Sequence, residues 1–213
     1  MPRPSAADET RTRIVDAALA LLDAEGLDAL STRRLAQDLG IRGPTLYHYF
    51  ANKRALLDAL MERIVDQIWD GVESALRETA PGDWEATLAG YVHGALAGMA
   101  QHPNAIEYLA LRPVSAARTL SGYEMLLERL TTAGWPLSTA WQVFLAAENL
   151  VLSAALEASA PTFAPAVERT HALPHVRELV ELLDERPQLD EGFAVGLEAL
   201  LSGLRSRADA PVS

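Results

Sequence analysis

Apolar residues recur every three or four positions along most of the chain, which is the period of an α-helix that buries one face. The first run contains Ile14, Ala18, Leu21 and Leu22, and it stops at Gly26. No run alternates apolar and polar residues as a half-buried strand does, so we expect an all-α fold. The pattern predicts further helices over 32–39, 44–50, 52–71, 84–101, 103–111, 121–133, 138–158, 175–185 and 189–205.

Residues that begin and end helices flank the second and third of these runs. Ser31 and Asn52 can cap the helices that follow them, and Pro44 suits a first helical turn. Gly40 can end a helix because glycine adopts a left-handed backbone at little cost. Two short helices joined by a tight turn have the spacing of a helix-turn-helix. The same spacing also occurs in ordinary helical bundles, so spacing alone leaves both interpretations open.

Charge is distributed unevenly along the 213 residues. The whole chain has a net charge of −11, whereas the segment 31–54 contains five basic residues and a single acid, Asp38, for a local balance of +4. Attraction to phosphate is a local field effect, so a basic segment on an acidic body can bind DNA. The charge pattern therefore favours the DNA-binding interpretation of the two short helices.

Composition and motifs narrow the class of protein further. The chain has no cysteine, which rules out disulfides and thiolate chemistry. Its longest apolar runs are shorter than a membrane span, and its first residues do not resemble a signal peptide, so we expect a cytoplasmic protein that does not enter a membrane. His171 and His175 have a metal-like spacing, but Pro174 lies between them. We expect no metal, no cofactor and no enzymatic activity.

The segment 30–60, LSTRRLAQDLGIRGPTLYHYFANKRALLDAL, resembles the N-terminal domain of tetracycline-repressor-family regulators. The resemblance implies a helix-turn-helix at about 31–51, inside a DNA-binding domain over 9–70. A ligand-binding and dimerisation domain would follow over 71–206. It further implies a homodimeric repressor that binds palindromic operator DNA and is released by a small-molecule inducer. The residues that carry the resemblance are Thr32, Leu35, Ala36, Leu39, Gly40, Thr45, Leu46, Tyr47, Phe50, Lys53 and Leu56.

The same resemblance implies which residues contact DNA. Thr45 and Tyr47 would contact phosphates, and Lys53 would complete the backbone contacts. Arg33 would reach a base edge, where its guanidinium fork matches guanine. The implied set is completed by Thr32 and by the variable reading positions Arg42, Gly43, Pro44, His48 and Tyr49.

The resemblance continues, more weakly, into the second half of the chain. It implies that the helices over 138–158 and 189–205 pair with their copies in a second subunit as a four-helix bundle. Small residues such as Ala147 and Gly196 alternate with large apolar ones in both helices, which suits close packing. Packing inside the core of one subunit is the alternative explanation for these two helices.

An inducer pocket is also implied, between the four helices over 84–101, 103–111, 121–133 and 138–158, with the long helix over 52–71 beneath them. Such an aromatic-rich lining favours a bulky or aromatic ligand. Plain core packing remains the alternative for each aromatic residue. The candidate lining residues are Trp69, Tyr91, Ala95, Met99, Leu111, Met125, Trp135, Trp141, Phe144 and Glu148.

The chain departs from the tetracycline repressor where that protein holds its drug. Trp69, Tyr91, Ala95 and the Tyr108–Leu109 pair occupy the positions of the drug contacts and the metal-binding histidine. These side chains do not chelate a magnesium–tetracycline complex, so we do not expect tetracycline to be the inducer. A helical DNA-binding or interaction protein without any small-molecule ligand is the alternative function.

Overall fold

The computed structural model describes residues 5–111, 117–159, 173–185 and 190–208. These ranges contain ten α-helices, two short 3₁₀ turns and no strand, so the predicted all-α class is confirmed. The helices are α1 (Ala6–Glu25), α2 (Thr32–Asp38), α3 (Gly43–Tyr49), α4 (Lys53–Leu76), α5 (Trp84–Met99), α6 (Ile106–Leu111), α7 (Ala117–Thr132), α8 (Leu137–Ser159), α9 (Pro174–Glu185) and α10 (Asp190–Ala208).

The predicted helix boundaries near the N-terminus are confirmed. They could be predicted because they depend on local caps. The Ser31 hydroxyl accepts a hydrogen bond from the Arg34 amide at 3.2 Å, and the Asn52 side chain accepts one from Ala55 at 2.9 Å. Gly40, which follows α2, has a positive φ of 65°. Glycine is favoured at that position because it has no Cβ atom to clash with the backbone.

Several predicted boundaries differ from the structure, and among them α7 begins at Ala117 rather than near 121 and α10 ends at Ala208 rather than near 205. The helix predicted over 52–71 continues to Leu76, because Val72 and Leu76 are buried in the core. The helix predicted over 103–111 begins as a 3₁₀ turn, Pro103–Ala105, before α6. The loop predicted over 159–174 falls mostly on 160–172, which lies outside the described residues; Ser159 ends α8 and Pro174 begins α9.

Helices α4 and α5 pack with their backbones in close approach. A Cβ atom added at Gly94 would lie 2.7 Å from the Cα of Val72, and one added at Gly98 would lie 2.7 Å from the Cα of Ile68. Any side chain at these two positions would force the helices apart. The glycines therefore fix the position of α4 relative to α5.

A polar joint connects α1, α4 and the turn after α5. The imidazole of His102 is buried, with Nδ1 3.0 Å from both carboxylate oxygens of Asp23 and Nε2 2.8 Å from the Gln67 side-chain oxygen. Next to it, the Asn104 amide donates to the backbone oxygen of Leu22 at 3.0 Å. These bonds hold the C-terminal end of α1 against α4 and against the turn after α5.

Helix α8 has the length and apolar composition of a membrane-spanning helix, the one such case in the part of the chain that is described. Within the protomer, 33% of its most apolar stretch is buried. The buried side faces α5 and α7 and includes Ala140, Phe144, Ala147 and Val151. Part of its remaining surface contacts α6 and α10, while Leu137, Trp141 and Leu145 are exposed on the protomer.

Candidate DNA-reading surface and ligand cavity

Two neighbouring arginines on α2 have different surroundings. Arg34 forms an ion pair with Glu25 at 3.0 Å, which holds α2 against the end of α1, and a second pair with Asp38 at 3.0 Å within α2. Arg33 is exposed and pairs with no acid among the described residues. The guanidinium of Arg33 is therefore available to an outside partner, whereas that of Arg34 is occupied.

Helix α3 is held by one buried side chain and presents the others to solvent. Leu46 is 1% exposed, while the neighbouring Tyr47 is 52% exposed. The Tyr47 hydroxyl lies 3.4 Å from the Thr32 hydroxyl, so the polar edges of α2 and α3 meet. A shallow concave surface between the two helices is lined by Thr32, Arg33, Gln37, Gly43 and Tyr47.

The structure places all ten implied DNA-contacting residues on α2, on α3 with its N-cap, or at the first residue of α4. Thr32, Gly43 and Tyr49 are half-buried. Gln37 lines the same concave surface and was missed, although it lies one helical turn from Arg33 on α2. The exposed members are Arg33, Arg42, Pro44, Thr45, Tyr47, His48 and Lys53.

A partly open cavity of about 450 Å³ lies among α4, α5, α6, α7 and α8. Apolar side chains of α4 and α6, together with Tyr123, Thr119 and Asn149, line it in addition to six of the ten residues named from the sequence. Leu111 is exposed, and it lies at the edge of the cavity. The six are Trp69, Tyr91, Ala95, Met99, Leu111 and Glu148.

The other four candidates lie outside the cavity lining. Phe144 is buried behind it, with its ring centre 5.2 Å from that of Tyr91 and 4.9 Å from that of Tyr123. Trp141 is 41% exposed on α8, and Met125 is half-buried on α7.

Trp135 does not line the cavity and has a packing role instead. It packs edge-on against Trp84, with 5.4 Å between ring centres, near the N-terminal ends of α5 and α8. Both rings serve the packing of that end of the body. The aromatic content of the sequence therefore overstated how many rings line the cavity.

Close packing of α7 on α4 determines which α7 side chain enters the cavity. A Cβ atom added at Gly122 would lie 2.5 Å from the Trp69 indole, so this ring lies directly against the α7 backbone. The next residue, Tyr123, then points into the cavity, where its hydroxyl donates a hydrogen bond to Glu148 Oε1 at 3.0 Å. The sequence offered Met125 instead because this helix rotation is a tertiary feature.

Burial perturbs the titration of the polar groups in the cavity. Desolvation raises the pKa of Glu148, and the hydrogen bond from Tyr123 opposes part of that rise. Burial and the nearby Glu148 charge raise the pKa values of Tyr91 and Tyr123. The Thr119 hydroxyl is buried and has no hydrogen-bond partner among the described residues. A site that leaves polar groups in such a state is suited to a ligand that supplies partners.

A helix-turn-helix joined to a helical body with a partly open cavity defines a class of ligand-responsive DNA-binding regulators. Residues 14–60 match the family model for bacterial regulatory proteins of the tetR family. Residues 78–208 match the model for the tetracyclin repressor-like C-terminal domain. The chain therefore belongs to the tetR family, and the resemblance seen in its sequence is confirmed.

Individual relatives agree with this assignment. The tetracycline repressor protein class D of Escherichia coli is 33% identical over 205 residues, covering 91% of this chain and 88% of the relative. The crystal structure of TetR from Acinetobacter baumannii AYE is 26% identical, with a TM-score of 0.73 and coverage of 94% and 98%. The Streptomyces coelicolor TetR family protein ActR, solved in complex with actinorhodin, is 25% identical, with a TM-score of 0.72 and coverage of 99% and 100%.

Replacing Arg33 tests the reading surface. We expect Arg33→Ala to weaken binding to the duplex that the wild-type protein selects from a random library by about 1–3 kcal/mol, and to relax preference at one base pair. Thermal unfolding should not change, because Arg33 pairs with no acid in the described chain. Mobility-shift titrations with selected and singly substituted duplexes measure both effects.

Two neighbouring variants serve as controls for this prediction. Arg34→Ala removes the ion pairs to Glu25 and Asp38, so it should lower the melting temperature slightly without changing base preference. Lys53→Ala should lower affinity evenly across sequences and reduce the salt dependence of binding. An Arg33→Ala protein with the wild-type base preference would contradict the assignment.

Replacing Glu148 tests the electrostatics of the cavity. Because burial raises its pKa in the folded protein, the ionised carboxylate lowers the free energy of unfolding at neutral pH. We expect Glu148→Gln to raise the melting temperature of the ligand-free protein near pH 7. The gain should disappear as the pH falls through the raised pKa toward the ordinary value, where the carboxyl is protonated in both states. Melting curves of both proteins from pH 4 to pH 8 measure this, and a less stable variant at pH 7 would refute it.

Proposed function

We propose that this protein is a cytoplasmic transcription repressor that binds palindromic operator DNA as a homodimer and is released by a small-molecule inducer. The observation that carries the proposal is the continuity of α4. The helix begins with Lys53 at the DNA-reading surface and continues to Trp69, which lines the cavity. One rigid element thus belongs to both sites.

The contents of the cavity support a small-molecule ligand of bulky or aromatic character. Its volume of about 450 Å³ falls in the range of drug-sized sites. Trp69, Tyr91 and Tyr123 provide aromatic surface, and the Thr119 hydroxyl, which has no partner among the described residues, provides a polar contact. A related protein, ActR, was solved with actinorhodin bound. No histidine is found among the described lining residues, which agrees with an inducer other than magnesium–tetracycline.

Outward-facing apolar residues support the homodimer. Leu145 of α8 is 40% exposed and Val195 of α10 is 70% exposed. The two helices approach closely within the protomer, where a Cβ added at Gly196 would lie 3.0 Å from a methyl carbon of Leu150. A second copy seated on this face would form a four-helix bundle. Dimerisation also suits DNA, since two reading helices must lie about 34–36 Å apart to enter successive major grooves.

The mechanism we propose is a shift between two dimer states. A ligand that binds better when the reading helices are wrongly spaced favours that state, and by linkage DNA disfavours the ligand to the same degree. Helix α4 carries the change from the cavity to Lys53. The His102 joint links the turn that precedes α6 to α1, which provides a second connection.

Selection and release experiments test this function. The wild-type protein should enrich, from a random library, duplexes with two inverted half-sites about 34–36 Å apart. Compounds that raise its melting temperature in a screen of small aromatic molecules should also lower its affinity for the enriched duplex, since binding and release are linked. Ligands that leave DNA affinity unchanged would favour a DNA-binding protein without an inducer. Failure to enrich any duplex would contradict DNA binding itself.

A charge on the proposed dimer face tests the oligomeric state. We expect Val195→Asp to convert the dimer into monomers, because an aspartate would lose its hydration in the bundle. Sedimentation should show half the wild-type mass, and affinity for paired half-sites should fall at least tenfold. Leu120→Asp places the same charge on an exposed apolar residue of α7 and should leave the dimer intact. A Val195→Asp protein that remains dimeric would contradict this interface.

A further inference from the structure

The cavity contains a carboxylate that pairs with no cation among the described residues. Glu148 is half-buried on α8, and the Tyr123 hydroxyl supplies its one hydrogen bond among the described residues. The described lining of the cavity includes no lysine, arginine or histidine. An ionised group removed from water needs an opposite charge to offset the lost hydration. In this cavity the described residues do not supply one.

Other acidic side chains of the body are paired. Arg118 binds both Asp70 and Glu73, at 2.9 and 2.7 Å, and Arg205 binds both Glu85 and Glu198. An arginine therefore bridges two acids at each of these two places. Glu148 has no such arginine among the described residues, although it is half-buried whereas Asp70, Glu73 and Glu198 are exposed.

The hydrogen bond from Tyr123 does not account for a charge at this position. A glutamine oxygen at residue 148 could accept the same bond without the desolvation cost of an ionised group. Burial already opposes ionisation of this carboxyl by raising its pKa. The carboxylate has an electrostatic use only when a positive charge enters the cavity.

Aromatic rings line the same cavity beside the carboxylate. The ring centre of Trp69 lies 6.0 Å from that of Tyr123 and 6.1 Å from that of Tyr91, so three helices contribute rings to one wall. The face of an aromatic ring attracts cations, and the attraction is stronger where water is excluded. Rings around this carboxylate form a site for a positively charged group that also carries apolar surface.

We propose that the ligand of this cavity is an organic cation with aromatic or bulky apolar substituents, whose charge lies beside Glu148 and against the rings of Trp69 and Tyr123. The proposal deepens the proposed function, on which it rests only for the role of the ligand as inducer. A neutral or anionic compound of the same size binds more weakly, because it leaves the carboxylate without a countercharge.

Two ions of matched shape test the charge preference. Tetraphenylphosphonium and tetraphenylborate have nearly the same size and opposite charge, and neither has the flat shape of a DNA intercalator. Calorimetric titration of the purified full-length protein, in sodium buffer, should show tetraphenylphosphonium binding at least tenfold more tightly than tetraphenylborate. Glu148→Gln should lose most of this difference, through weaker binding of the cation.

A matched variant separates the cavity from the general acidity of the chain. The net charge of −11 attracts any cation to some degree. Glu124→Gln removes the same charge from an exposed position of α7 beside Tyr123, and it should keep the wild-type preference. Melting curves of both variants establish that each is folded.

The outcomes separate this proposal from the proposed function. Equal affinity for the two ions, no binding of the cation up to its solubility limit, or wild-type cation affinity in Glu148→Gln would overturn the cation proposal. A neutral aromatic compound of the same size that binds the wild-type protein as tightly as the cation and releases DNA would also overturn it, while leaving the repressor function intact. The cation could also bind in a Glu148-dependent way without changing the affinity for the selected duplex. That result would support the cation site and refute the inducer function.

Discussion

The backbone contact between α4 and α5 is the constraint on which the rest of the molecule depends. Gly94 and Gly98 allow α4 to lie against α5 with no side chain between them. Helix α4 is continuous from Lys53 to Leu76, and its hydrogen-bonded backbone transmits displacement along its length. Lys53 and Trp69 are about 24 Å apart along such a helix, at roughly 1.5 Å per residue. The position of the DNA-reading surface is thus tied to the position of the cavity wall.

Polar contacts, by contrast, attach the reading surface to the body. The His102 joint depends on distance and direction, so a small displacement weakens it. The turn that carries His102 leads directly into α6, which lines the cavity. Helix α6 is thus connected to α1 through a few hydrogen bonds, whereas α4 and α5 are in close backbone contact. Close packing in one place and weaker polar contacts in another suit a protein whose DNA-binding domain adopts two positions relative to its ligand-binding domain.

The elements predicted from the sequence are those with local causes. Caps at Ser31 and Asn52 depend on residues three positions away, so the helix-turn-helix could be recognised without any tertiary information. Gly71 is a different case: the helix predicted over 52–71 ended there, but its backbone packs against Gly94 and the helix continues to Leu76. The burial that extends α4 comes from α5, a helix that follows it in the chain, and local reasoning does not include it.

The cavity likewise combines features that follow from the local sequence with features that depend on tertiary packing. The sequence provided its aromatic and acidic content, and six of the ten candidate residues lie together in the structure. The rotation of α7 about its own axis placed Tyr123 rather than Met125 in the cavity, since Gly122 packs against Trp69. The pairing of Trp135 with Trp84 removed another candidate. By itself, the sequence determined the helices, the helix-turn-helix motif and the family, because caps, periodicity and motif spacing depend on residues that are close together in the chain. Only the tertiary structure decided which rings surround Glu148 and that no described lining residue pairs with its charge, because both depend on contacts between residues far apart in the chain.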